Sequence, residues 1–202
     1  MKTRTFLRMT AGAGLAAVLA ACSKAAPPGP AFQAVDLTGA EYAKGFSLPD
    51  ANGKVRTLDE FKGKVVAVFF GYTQCPDVCP TTLAEMVEIK TQLGADADKL
   101  QTVFITVDPE RDTPEILQAY MANFDPGFIA LRPSPEQLVA VAKDFKVYYK
   151  KVEGTAPGSY SMDHSAATYL YDPQGRLRLY AKYGGGSAPL AADIKLLLQQ
   201  QA

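Results

Sequence analysis

Cys75 and Cys79 are two of only three cysteines in the chain, and they lie within Gly71-Tyr72-Thr73-Gln74-Cys75-Pro76-Asp77-Val78-Cys79-Pro80. A thiolate is a nucleophile, a redox partner and a soft metal ligand, so a close pair offers dithiol exchange or metal binding. The preceding run Val65-Val66-Ala67-Val68-Phe69-Phe70 is β-branched and aromatic and reads as a buried parallel strand. Pro80 suits the first residue of a following helix. Cys79 would then cap or open that helix, with Cys75 about one turn earlier, where N–H groups and the helix dipole favour a thiolate. On a helical turn the i, i+4 spacing puts both sulfurs on one face, with Cβ atoms ~5–6 Å apart. That is close enough for a disulfide. A merely packed pair of buried cysteines is the alternative, but packing gives no reason for a proline after each of them.

The chain has a single histidine, His164. It stands at the mouth of an expected strand, Ser165–Tyr171, which in this order of elements runs beside the strand feeding Cys75. Two thiolates and an imidazole suit copper: the sulfurs satisfy Cu(I), and the imidazole helps to hold Cu(II). A structural zinc site takes four protein ligands, so zinc would require Asp77 or Asp163 as the fourth.

Lys and Arg together number 21, as do Asp and Glu. Lys2, Arg4 and Arg8 belong to an expected leader, and its removal leaves a mildly acidic chain with no nucleic-acid signature. The apolar stretch Met9–Ala21 is too short for a membrane span and fits a signal peptide over residues 1–21. It ends Leu19-Ala20-Ala21-Cys22, which resembles the bacterial lipobox. Cys22 is therefore the expected site of lipidation, and residues 22–38, rich in Pro and Ala, the expected tether. An ordinary signal peptide with a free Cys22, or an uncleaved anchor helix, leaves a lone cysteine after Leu-Ala-Ala unexplained.

The elements that must position the thiols and the imidazole follow from pattern over the expected domain, 39–202. A hairpin around Asp50-Ala51-Asn52-Gly53 precedes the central strand. Leu83, Met86, Val87, Lys90 and Leu93 keep helical spacing up to Gly94, and the methionine is read as core rather than as a copper ligand. Val103–Val107 is a second buried strand. Thr113-Pro114 and Ser134-Pro135-Glu136-Gln137 open two further helices, with Ile116, Leu117, Tyr120, Met121 and Phe124 on the inner side of one and Leu138, Val139, Ala142 and Phe145 on that of the other. Val147–Val152 is extended, residues 153–162 read as a loop, and Asp172-Pro173-Gln174-Gly175 turns a hairpin ending near Tyr183. Leu190, Ile194, Leu197 and Leu198 mark a closing helix. This alternation predicts an α/β fold, a central mixed sheet flanked by helices with an N-terminal β-hairpin extension, and a cysteine motif leaving the first parallel strand points to the thioredoxin-like form of it.

Over nearly the whole domain the chain resembles the Sco/SenC proteins, copper-handling assembly factors of cytochrome c oxidase. The resemblance rests on Gly71-Tyr72-Thr73 with Cys75-Pro76-Asp77-Val78-Cys79-Pro80, on Val107-Asp108-Pro109-Glu110-Arg111-Asp112-Thr113-Pro114, and on Asp163-His164-Ser165 with Asp172-Pro173-Gln174-Gly175. It implies copper, as Cu(I) and Cu(II), held by Cys75, Cys79 and His164, and delivery to the binuclear copper site of the oxidase. Gln74 departs from relatives that carry histidine before the first cysteine. The partner expected is the copper-bearing oxidase subunit or a periplasmic copper carrier, reached from a lipid anchor on a bacterial membrane with the domain facing the periplasm or cell exterior. As the neighbour of His164, Asp163 is expected to orient the imidazole or its loop.

A second function uses the same sulfurs: a thiol–disulfide oxidoreductase that keeps the cysteines of a copper-accepting partner reduced. His164 separates the two, because metal binding needs it and dithiol exchange does not. A peroxidase is weaker, since Thr73 and Arg111 would have to activate the thiolate.

Overall fold

The computed structural model describes residues 31–200. The leader and Cys22 lie outside the described residues. Six strands form a mixed sheet: β1 (Val35–Asp36), β4 (Val65–Gly71), β5 (Leu100–Thr106), β6 (Ile129–Leu131), β9 (Thr168–Tyr171) and β10 (Leu177–Ala181). Their spatial order is β1-β10-β9-β4-β5-β6. All seven residues of β4 are buried, as a strand covered on both faces requires. It runs parallel to β5 and antiparallel to β9, whose Thr168 pairs with Phe69. The N-terminal hairpin forms as β2 (Ser47–Pro49) and β3 (Val55–Thr57), a separate two-stranded sheet. This is the expected thioredoxin-like α/β architecture.

Successive residues of a strand face opposite ways, and Phe69 and Phe70 show which helices cover which face. Phe69 meets Phe104 edge-on at 5.1 Å, and Phe104 meets Tyr120 of α2 (Pro114–Ala122) at 6.2 Å. Phe70 meets Phe145 of α3 (Pro135–Phe145) at 5.1 Å on the other side. α1 (Val78–Leu93) packs against α4 (Ser187–Gln199). Thr113 caps α2 and Ser134 caps α3 with a full capping box, each followed by proline at the first helical position. Gly94 ends α1 with a positive φ of 59°.

Four expectations are corrected. α1 begins at Val78 with Asp77 as its cap residue, so Cys79 lies inside the first turn and Pro80 is its third residue. Proline is tolerated there because the first N–H groups of a helix lack an intrahelical acceptor. Residues 31–38, assigned above to the tether, lie on the domain: β1 pairs with β10, and the Gln33 and Ala34 N–H groups donate to the buried Asp193 carboxylate at 2.9 and 2.8 Å. An edge strand held through its backbone has no side-chain pattern to announce it. Ile116 and Val139 are exposed, and Leu138, Val141, Ala142 and Phe145 make the inner stripe of α3. Finally, the supposed loop 153–162 belongs to strands at both its ends, because β7 (Tyr149–Glu153) pairs with β8 (Tyr160–His164) in a hairpin of its own.

Candidate metal centre

Two elements deliver the sulfurs. β4 ends at Gly71, the chain turns tightly with the Cys75 N–H donating to the Tyr72 carbonyl at 3.2 Å, and α1 opens at Val78. Cys75 therefore sits in the loop rather than on a helical turn, and is 9% exposed, whereas Cys79 is fully buried. Both are free thiols. The third donor arrives on the last residue of β8, four residues before β9 joins β4. One ligand atom from each of Cys75, Cys79 and His164 lies within 4.8 Å of the other two.

The imidazole is oriented through its backbone neighbour. Nδ1–H donates to the Ser165 carbonyl at 3.0 Å, which turns Nε2 toward the sulfurs, 3.6 Å from Cys79 Sγ, where it can ligate a metal once it carries no proton. Anchoring one ring nitrogen so that the other can bind is the arrangement typical of metal-ligating histidines. Tyr72 packs edge-on against the ring, centroids 5.8 Å apart. Asp163 is exposed, as its place on the alternate face of β8 dictates, so its influence on the ring is through charge.

The two thiols are unequal. The hydrogen bond from Cys79 pulls the Cys75 pKa down to about 3 against the effect of burial, helped by His164 and by the N–H groups of Cys79 and Asp77. Cys79 is pushed up because it donates to Cys75, because it is buried and because the Cys75 charge is close. The metal-free pair thus shares one proton, held by the inner sulfur. Burial opposes charge on His164, but the bond with Cys75 and the Ser165 carbonyl outweigh it and raise its pKa.

Behind the loop stands a residue the sequence reading passed over. Asp112 is fully buried and accepts from the Thr73 N–H at 3.2 Å, from Thr73 Oγ1 at 2.6 Å and from Thr106 Oγ1 at 2.5 Å. Gly71 is also specific: a Cβ there would lie 2.5 Å from Cys79 Sγ and 2.9 Å from the Phe104 ring. A glycine at a strand end feeding a cysteine loop is the signal that could have found it.

The weaker alternatives fare differently. Thr73 is committed to Asp112 and Arg111 to Asp108, which removes the pair a peroxidatic thiolate would need. Asp77 is exposed, with a Thr81 Oγ1 contact at 3.3 Å, and among the described residues neither Asp77 nor Asp163 joins the Cys-Cys-His cluster. A four-ligand zinc site is therefore not assembled from these residues.

Several known proteins are similar to this chain. The sequence model of the SCO1/SenC family matches residues 35–199. A SCO2-like protein of Rickettsia felis is 43% identical over 132 residues, covering 65% of this chain and 64% of the relative. The mitochondrial SCO2 homolog of Bos taurus is 37% identical over 179 residues, covering 87% of this chain and 67% of the relative. The chain thus spans slightly under two thirds of the Rickettsia felis protein. Among solved structures, copper-bound ScoI of Bradyrhizobium japonicum is 44% identical with a TM-score of 0.68, covering 76% of this chain and 97% of that one. Copper-bound yeast Sco1 is 29% identical with a TM-score of 0.70, covering 78% and 88%.

Proposed function

The chain belongs to the SCO1/SenC family, and from that membership and the site's geometry we propose that it is a copper metallochaperone that supports assembly of the binuclear copper site of cytochrome c oxidase. The observation that carries the reading is the mutual approach of the three donors, all within 4.8 Å. A trigonal site with metal–ligand bonds of ~2.0–2.3 Å places its donors ~3.5–4 Å apart, so small side-chain adjustments close it. Two sulfurs and one imidazole suit copper in both oxidation states.

The cargo meets Cys75 first, because its sulfur is ionised and is the less deeply buried of the two, Cys79 being fully enclosed. Binding by Cys79 releases the proton the pair retains, so copper uptake is coupled to proton loss. His164 Nε2 completes the set. The partner is the copper-bearing oxidase subunit or a periplasmic copper carrier, and acylated Cys22 with its tether holds the domain at the membrane, facing the periplasm or cell exterior. Among the described residues no helix is long and apolar enough to cross a membrane.

The split between the sulfurs also favours a second reading. The Cys75 thiolate attacks a partner disulfide, forming a mixed disulfide and expelling one partner thiolate. Cys79 then loses its proton and attacks the Cys75 sulfur, releasing the second partner thiol and leaving Cys75–Cys79 oxidised. His164→Ala in the full-length protein distinguishes the readings. Copper handling predicts loss of Cu(II) binding and of oxidase copper loading in cells, with reduction of a small disulfide intact. Oxidase assembly at the wild-type level in this variant would favour the reductase.

A further inference from the structure

His164 is carried by an appendage. β7 and β8 form a two-stranded sheet separate from the main one, and Lys150, Lys151, Ser161 and Asp163 are exposed on it. What meets the body is the inner face of β8, where Tyr160, Met162 and His164 follow the strand's two-residue period. Met162 is buried at the middle, and His164 reaches the sulfurs at one end. At the other end, some 13 Å away for four residues of strand, Tyr160 meets Arg111.

Arg111 makes that junction with the face of its guanidinium and with two of its three nitrogens. Its guanidinium lies 3.5 Å from the Tyr160 ring centroid and 5.7 Å from that of Tyr72. Nη1 donates both to the Tyr160 carbonyl at 2.8 Å and to Gln74 Oε1 at 3.1 Å, linking the hairpin to the residue before Cys75. Nε pairs with Asp108 Oδ2, while Asp108 Oδ1 accepts from the Tyr160 hydroxyl at 2.9 Å. One buried carboxylate thus holds both halves of the junction. Nη2 is buried without a hydrogen-bond partner among the described residues.

We propose that Arg111 is a positioning residue that clasps the β7–β8 hairpin onto the cysteine loop and so sets how closely the His164 imidazole stands to the two sulfurs. The proposal rests on the copper reading of the site. With the clasp closed, three donors converge and Cu(II) is held. With it open, the hairpin carries the imidazole away and leaves a dithiolate, which still suits Cu(I). The stacked, forked geometry is one that lysine cannot reproduce despite its charge.

The test compares full-length wild type with Arg111→Met, Arg111→Lys and Tyr160→Leu. In metal-free protein, amide hydrogen exchange over residues 160–164 should quicken in all three while β5 and α1 remain protected. Cu(II) dissociation should quicken ~10–100-fold, the range for groups that orient a metal ligand. The histidine-dependent Cu(II) spectrum should change with it, while Cu(I) affinity falls far less than Cu(II) affinity because both sulfurs remain. Tyr160→Leu breaks the clasp from the hairpin side, so it carries the test should the arginine variants fail to fold. Wild-type exchange and Cu(II) release in Arg111→Met and Tyr160→Leu, or full rescue by Arg111→Lys, would overturn the clasp. A wild-type protein without any His164-dependent Cu(II) signal would instead overturn the copper reading, and the exchange data would still judge the clasp.

Discussion

His164 Nε2 stands 3.6 Å from Cys79 Sγ, with the opposite ring nitrogen anchored on the Ser165 carbonyl. The two residues are 85 positions apart in sequence, and their approach depends on how β4 ends and how β8 is held. Each support can be perturbed separately.

Gly71 permits the close passage of β4 behind the inner sulfur. Gly71→Ala places a methyl group 2.5 Å from Cys79 Sγ and 2.9 Å from Phe104. Overpacking of this kind costs ~1–3 kcal/mol. A urea unfolding curve should show that loss, and a copper titration of the reduced protein should show weakened binding because the sulfur is displaced. Unchanged stability and affinity would mean that β4 and α1 separate freely.

Asp112 secures the loop from beneath. Asp112→Ala strands the Thr73 N–H and hydroxyl and the Thr106 hydroxyl, each otherwise satisfied by the one carboxylate. An unsatisfied buried polar group costs ~1–3 kcal/mol, so denaturant unfolding should register a loss of at least that size. Hydrogen exchange in residues 72–75 should quicken in parallel.

The acidic Cys75 thiol predicts an unusual pH profile. The folded-state pKa is depressed from an ordinary ~8.5 to about 3, chiefly by the Cys79 hydrogen bond. The thiolate therefore persists as pH falls from 8 to 5, and it is lost only as pH approaches the folded value. Alkylation of the reduced, metal-free protein should label Cys75 alone, at a rate nearly flat over that interval. In Cys79→Ala the main cause is removed, so the rate should fall steeply with pH. Equal labelling of both cysteines would contradict the shared-proton pair.

Asp163 presents the opposite case. Its carboxylate is exposed and influences the imidazole only as a neighbouring charge. Asp163→Asn should change copper affinity by far less than the ~10–100-fold typical of a group hydrogen-bonded to a ligand. A loss in that range would place the carboxylate in direct control of the ring.

Much of this site could be read from the sequence because its donors are rare residue types. One histidine and a cysteine pair after an all-apolar strand leave few ways to build a soft-metal site, and Thr113-Pro114, Ser134-Pro135 and Gly94 marked helix ends through local chemistry. The supports were not legible, for physical reasons. Thr73 meets Asp112 across 39 residues and Arg111 meets Tyr160 across 49, and no local pattern reports such a pairing. Ser165 contributes a backbone carbonyl, which any residue supplies. β8 alternates correctly through Tyr160, Met162 and His164, but the preceding Gly-, Pro- and Ser-rich stretch disguised it as loop.

Binding of one copper ion by Cys75, Cys79 and His164 together is open to a direct test, because the chain has a single histidine. Growth on ¹⁵N-histidine labels one ring, so nitrogen couplings in the pulsed electron paramagnetic resonance spectrum of the Cu(II)-loaded protein report His164 alone. The expected result is a ¹⁵N-histidine coupling in wild type that disappears in His164→Ala, with the copper signal itself lost in Cys75→Ser/Cys79→Ser. A bound Cu(II) signal lacking histidine coupling in wild type, or retained intact without the two sulfurs, would mean that the three residues do not share a copper ion.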